Sequence, residues 1–76
     1  MNDFGNRLRR AREEVTMCVV TLSDETGIPV ASLVALERNE RPPAPHHIRL
    51  CARELGVSAR YLRDGHSSIS SESPLP

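Results

Sequence analysis

His46, His47 and Cys51 are the residues whose types and spacing first suggest chemistry. His47 and Cys51 stand four apart, so on a helix they share a face and can begin a metal site. A structural zinc site needs four ligands, and no further pair at a suitable spacing completes the set. Cys51 also falls on the apolar face of its helix, where a thiol behaves as a small hydrophobe. No metal and no cofactor are expected. No Ser-His-Asp or Cys-His arrangement, Gly-rich phosphate loop or paired-carboxylate motif is present either, which argues against an enzyme. His46 and His47 instead read as the exposed first turn of a helix. There they can touch a phosphate, and protonation would strengthen that contact at lower pH.

The other chemistry-bearing groups are arginines. Ten Arg and no Lys balance ten Asp plus Glu in 76 residues. With a net charge of zero, only a local basic patch can bind a polyanion. Arg7, Arg9, Arg10 and Arg12 stand beside Glu13 and Glu14, and Arg49, Arg53, Arg60 and Arg63 lie further along. Both sets read as solvated faces with i, i+4 ion pairs, each worth only ~0.2–0.5 kcal/mol. Arg41 differs, because it sits in a proline-rich loop.

The elements that must position these residues are helical. Phe4, Leu8, Ala11 and Val15 recur at helical spacing and predict helix one over residues 3–14, capped by Asp3. Val15–Cys18 reads as a turn. Helix two spans 19–26, with Leu22 inward, and stops at Gly27. Pro29 then starts helix three, which runs to about Arg38 with Leu33 and Leu36 buried. Residues 39–45 are a loop, since "RPPAP" cannot continue a helix. Helix four begins near His46 and turns Ile48, Cys51, Ala52 and Leu55 inward. Ser58 caps a short helix five that carries Tyr61 and Leu62 and closes at Gly65. The tail 66–76, "HSSISSESPLP", is too polar to bury much surface and is expected to be disordered. No strand pattern appears. The expected fold is therefore all-α and compact, a five-helix domain over residues 1–65.

No apolar run approaches the ~20 residues of a membrane span, and no apolar leader follows the charged start. Cys18 and Cys51 lie in no paired motif and read as reduced thiols, so a cytoplasmic protein is expected. Phe4 and Tyr61 are the only aromatic residues, which leaves an aliphatic core. A chain this short buries only roughly 60% of its unfolded surface, so dimerisation or a partner would stabilise it.

Helices two and three, joined by a turn containing Gly27, form a candidate helix-turn-helix. The wider pattern is more specific. "RLRRARE" at 7–13, "LSDETGIPVASLVALERN" at 22–39 and "LCARELGVSARYLRDG" at 50–65 together resemble the lambda-repressor-like, Cro-type helix-turn-helix family. The resemblance runs from about Phe4 to Gly65. It implies a bacterial or phage transcriptional regulator that binds a two-fold DNA operator as a homodimer, with helix three in the major groove. It also implies an ion pair between Arg12 and Glu37, bracing helix one against the end of helix three. Tyr61 and Leu62 of helix five are the candidates for the dimer contact.

The face that would meet bases is unusual. With Leu33 and Leu36 inward, helix three presents Val30, Ala31, Ser32, Val34, Ala35 and Arg38, and only Ser32 and Arg38 among them can hydrogen-bond through a side chain. The family often places a phosphate-gripping Gln at the first position of helix two, where this chain has Val19 followed by Val20. Two readings stay open. In one, Val30, Ala31, Ser32 and Val34 contact bases, the apolar groups packing on thymine methyls. Phosphates are then held at Val19, Arg38, Asn39, Arg41 and His46 by charge and by helix-start amides. In the other, Val19, Val20, Val30, Ala31 and Val34 form an apolar patch that binds a protein partner.

Overall fold

The computed structural model describes residues 3–65, and the expected disordered tail 66–76 lies outside the described residues. Those residues form five helices and no strand: α1 (Phe4–Glu14), α2 (Val19–Thr26), α3 (Val30–Glu37), α4 (Pro45–Leu55) and α5 (Ala59–Asp64). Asp3 caps α1 by accepting the Asn6 amide at 3.2 Å, and Ser58 caps α5 by accepting that of Tyr61 at 2.9 Å. Helix α4 starts one residue before expectation, with Pro45 in its first turn, where the missing amide costs nothing.

The core is aliphatic and every helix contributes to it. Leu8, Leu22, Leu33, Leu36, Cys51 and Leu62 are fully buried, and Phe4, Ala11, Ile28, Ile48, Ala52 and Leu55 complete the cluster. Two sequence expectations are corrected here. Val15 was expected to continue the apolar stripe of α1, yet it is 46% exposed. The helix ends at Glu14, and Thr16 takes a φ of 52° that turns the chain away. Leu62 was expected at a dimer contact, but its burial is complete. It plugs the core beneath α1, and half-buried Tyr61 packs beside it.

Arg7 explains how α5 is held. Its Nε and Nη2 donate to the Leu62 carbonyl at 3.0 and 2.8 Å, and Nη2 also donates to that of Arg63 at 3.0 Å. A cation thus satisfies carbonyls at the C-terminal end of a helix, where its dipole is negative. The i, i+4 pairs expected along α1 and α4 do not form. The ion pairs among the described residues are Arg12–Glu37, Arg38–Glu40 and Arg63–Asp64.

Candidate nucleic-acid interface

Between α2 and α3 the chain bends by 118°, within the range of a helix-turn-helix. Side chains of α2 seal this corner. Thr26 donates to the Leu22 carbonyl at 2.7 Å and accepts the Ile28 amide at 3.2 Å, while the Ser23 hydroxyl donates to the Ile28 carbonyl at 2.6 Å. Gly27 takes a φ of 78°, a conformation that costs a side-chain-bearing residue free energy. Buried Ile28 then anchors the turn in the core, and Pro29 directs the chain into α3.

On α3, Leu33 and Leu36 point inward, Val30 and Ala31 are exposed, and Ser32, Val34 and Ala35 are half-buried; Arg38, just past its end, is exposed. At the start of α2, Val20 is 55% exposed, but Val19 is half-buried and packs on the core. The apolar patch expected from the sequence therefore narrows to Val20, Val30 and Ala31, with Val34 at its margin. Val19 can offer an anion only its backbone amide, because its side chain is needed inside. Cys18, next to it, is exposed. Its thiol is held below the ordinary range, first by the Thr21 hydroxyl 3.2 Å away and then by nearby backbone amides.

Three sets of contacts fix α3 against the rest of the domain. Arg12 forms a two-pronged ion pair with Glu37, Nε to Oε2 at 2.7 Å and Nη2 to Oε1 at 3.0 Å. Its Nη1 also donates to the Met17 carbonyl at 2.9 Å. The fork of a guanidinium fits a carboxylate in this way. Hydrogen bonding to Glu37 raises the Arg12 pKa still further. At Gly5 the backbone of α1 touches the end of α3. A Cβ there would lie 2.6 Å from the Leu36 carbonyl oxygen and closer still to that of Glu37. Asn39 completes the lock. Its Oδ1 accepts the Gly5 amide at 2.9 Å and its Nδ2 donates to Asp3 at 2.9 Å. That donation, with the Asn6 amide, pulls the Asp3 carboxyl below its ordinary range.

Asn39 was expected to hold a phosphate. Both polar ends of its exposed side chain are instead bonded to partners at the start of α1, and its backbone takes a φ of 59°, as a short polar residue tolerates. Arg38 is exposed and only loosely opposed by Glu40 at 3.9 Å. Arg41 lies in the loop and donates from Nη1 to Ser32 Oγ at 3.0 Å.

The two histidines part company. His46 is exposed, as expected, but His47 is buried. Its Nδ1 accepts the Ala44 amide at 3.1 Å at the start of α4. Burial lowers its pKa, and neighbouring His46 and Arg41 add to the shift. His47 therefore serves the fold. Cys51 does likewise, its thiol pushed up to about 11 by burial. Among the described residues no three His, Cys, Asp or Glu side chains gather as metal ligands.

The lock formed by Asp3, Gly5 and Asn39, and the Arg7 clamp, were missed from the sequence. A glycine inside an otherwise helical, apolar-periodic stretch was the available signal for the first. Away from α3, an open groove of about 520 Å³ is lined by Arg10, Glu14, Val15, Leu55, Val57 and Tyr61.

A helix-turn-helix family model matches residues 8–62. No curated protein sequence gives a significant match. Among solved structures, the fold is similar to the P22 c2 repressor in complex with a synthetic operator (TM-score 0.80, 23% identity, covering 87% of this chain and 100% of that one). It is similar to the N-terminal DNA-binding domain of SinR from Bacillus subtilis (TM-score 0.77, 24% identity, 82% and 91% covered). It is also similar to the restriction-modification controller protein C.AhdI from Aeromonas hydrophila (TM-score 0.76, 28% identity, 80% and 92% covered).

Proposed function

Because the chain belongs to the lambda-repressor-like helix-turn-helix family, we propose that it is a DNA-binding transcriptional regulator whose α3 enters the major groove. The observation that carries this reading is the sealed 118° corner between α2 and α3, with α3 braced at its far end by Arg12 and Gly5. A helix so fixed presents one face to a partner without adjusting its own packing. Val30 and Ala31, with Val34 at the edge, pack on thymine methyls. Arg38, His46 and the amides at the start of α2 hold phosphates. No acidic residue occupies the first turn of α2, α3 or α4, so nothing there repels an anion.

The regulator acts as a homodimer on a two-fold operator in the cytoplasm of a bacterium, or as a phage product within one. Its dimer face is the groove that includes Tyr61 and Val15. Arg10 and Glu14 share that groove, so a two-fold axis can set the cation of one subunit against the anion of the other. Among the described residues no single helix is long and apolar enough to cross a membrane. The protein-partner reading draws on the exposure of Val20 and Val30.

Backbone amide NMR with a mixed-sequence duplex at low salt tests the assignment. Shifts should concentrate in the first turn of α2, in α3 and in residues 38–46. Shifts confined to α1 and α5, or none at all, would remove the groove role from α3.

A further inference from the structure

Base edges in the major groove are read mainly by Arg, Lys, Asn and Gln, and α3 carries none of these between Val30 and Glu37. The N-terminal residues of a groove helix reach deepest toward the bases. Here that end offers Val30, Ala31 and the hydroxyl of Ser32. The hydroxyl is joined to Arg41, whose Nη1 donates to Ser32 Oγ at 3.0 Å from nine residues along the chain. This bond draws the guanidinium back out of the loop and along the flank of α3. Arg41 remains exposed. The neighbouring acid, Glu40, faces Arg38 instead, and no acidic partner of Arg41 occurs among the described residues.

We propose that Arg41 is a base-reading residue, its guanidinium donating two parallel hydrogen bonds to O6 and N7 of a guanine, with Ser32 as the residue that positions it. The loop thereby supplies the donor pair that α3 lacks. One N–H is spent on Ser32, and a guanidinium has five, so a two-donor edge stays available. The phosphate role expected from the sequence needs only a charge held over the backbone, and a tether to the base-facing end of the helix adds nothing to it. Placed beside Val30 and Ala31, Arg41 makes the half-site a guanine next to thymine-bearing steps. This inference rests on α3 being the groove helix.

The test is selection from a pool of duplexes with a randomised centre, using the unaltered protein, Arg41→Ala, Arg41→Lys and Ser32→Ala. Affinities are then measured on the enriched duplex, on the duplex with the guanine replaced, and on one carrying 7-deazaguanine there. The unaltered protein should enrich one guanine per half-site. Arg41→Ala should lose that preference and bind the enriched duplex roughly 10- to 100-fold more weakly, while binding to the guanine-replaced duplex barely changes. Arg41→Lys should keep the charge without restoring full preference, and Ser32→Ala should relax it in part. Loss of N7 should weaken the unaltered protein and leave Arg41→Ala indifferent. If Arg41→Ala selects the same motif and loses affinity evenly on all duplexes, with a salt slope shallower by about two in the dimer, Arg41 is a phosphate clamp and the inference fails alone. If the unaltered protein binds no duplex at low salt, the DNA reading fails and takes this inference with it.

Discussion

At Gly5 the start of α1 meets the end of α3 backbone to backbone, with no room for a methyl group. Replacing a helical glycine by alanine ordinarily gains stability, up to about 1 kcal/mol in a helix interior. Gly5→Ala should instead cost about 2 kcal/mol, because the Cβ can be relieved only by moving one helix off the other. Urea denaturation measures this as a lower midpoint, and a raised midpoint would refute the close approach. His47 makes a second prediction at this scale. Its folded pKa lies below the ordinary value, so the unfolded chain binds the proton more tightly. The stability it contributes is whole above about pH 6.5 and is lost as pH falls from there through the depressed folded value. Protonation also removes the Nδ1 acceptor that the Ala44 amide uses. Between pH 7.5 and 5 the unaltered protein should lose more stability than His47→Gln, as read from denaturation midpoints. Parallel losses would place the titrating group elsewhere.

Among elements, the Arg12–Glu37 pair is the principal tie between α1 and the end of α3, with side chains only 15% and 10% exposed. Arg12→Ala leaves the Glu37 carboxylate poorly solvated and should cost about 3 kcal/mol. Arg12→Lys should recover less than half of this, because an ammonium cannot make both prongs and also reach Met17. Equal stability of the lysine variant would mean that charge alone matters. This pair, the five helices and the buried faces of α3 and α4 were legible in the sequence. Apolar spacing, prolines, glycines and caps are local signals, and the family pattern added the pair. What was not legible depended on where distant backbones come to rest. Asn39 lost its expected phosphate role because α1 brings Gly5 and Asp3 to it. His47 lost its exposure because its ring turns in to accept the Ala44 amide at the start of α4. Leu62 left the dimer candidates because α5 turns that side chain fully into the core. Asn39 and Leu62 are claimed by residues far along the chain, whereas His47 is claimed by the loop three residues before it.

For the whole molecule, the net charge of zero means that DNA affinity has to come from a few local cations. Long-range attraction contributes little to a chain whose charges cancel. A dimer doubles those contacts and spaces the two α3 helices about one helical turn, ~34 Å, apart. The most direct measurement of DNA binding through α3 is fluorescence anisotropy on a mixed-sequence duplex across a salt series. With one cationic phosphate contact, Arg38, in each of two subunits, log affinity should fall against log salt with a slope of about −1.8. Binding should then weaken by about one order of magnitude between 50 and 200 mM salt. Arg38→Ala should make the slope shallower by about two in the dimer, since one contact is lost from each subunit. An absence of binding at low salt, or binding that ignores both salt and Arg38, would contradict a groove-binding role for α3.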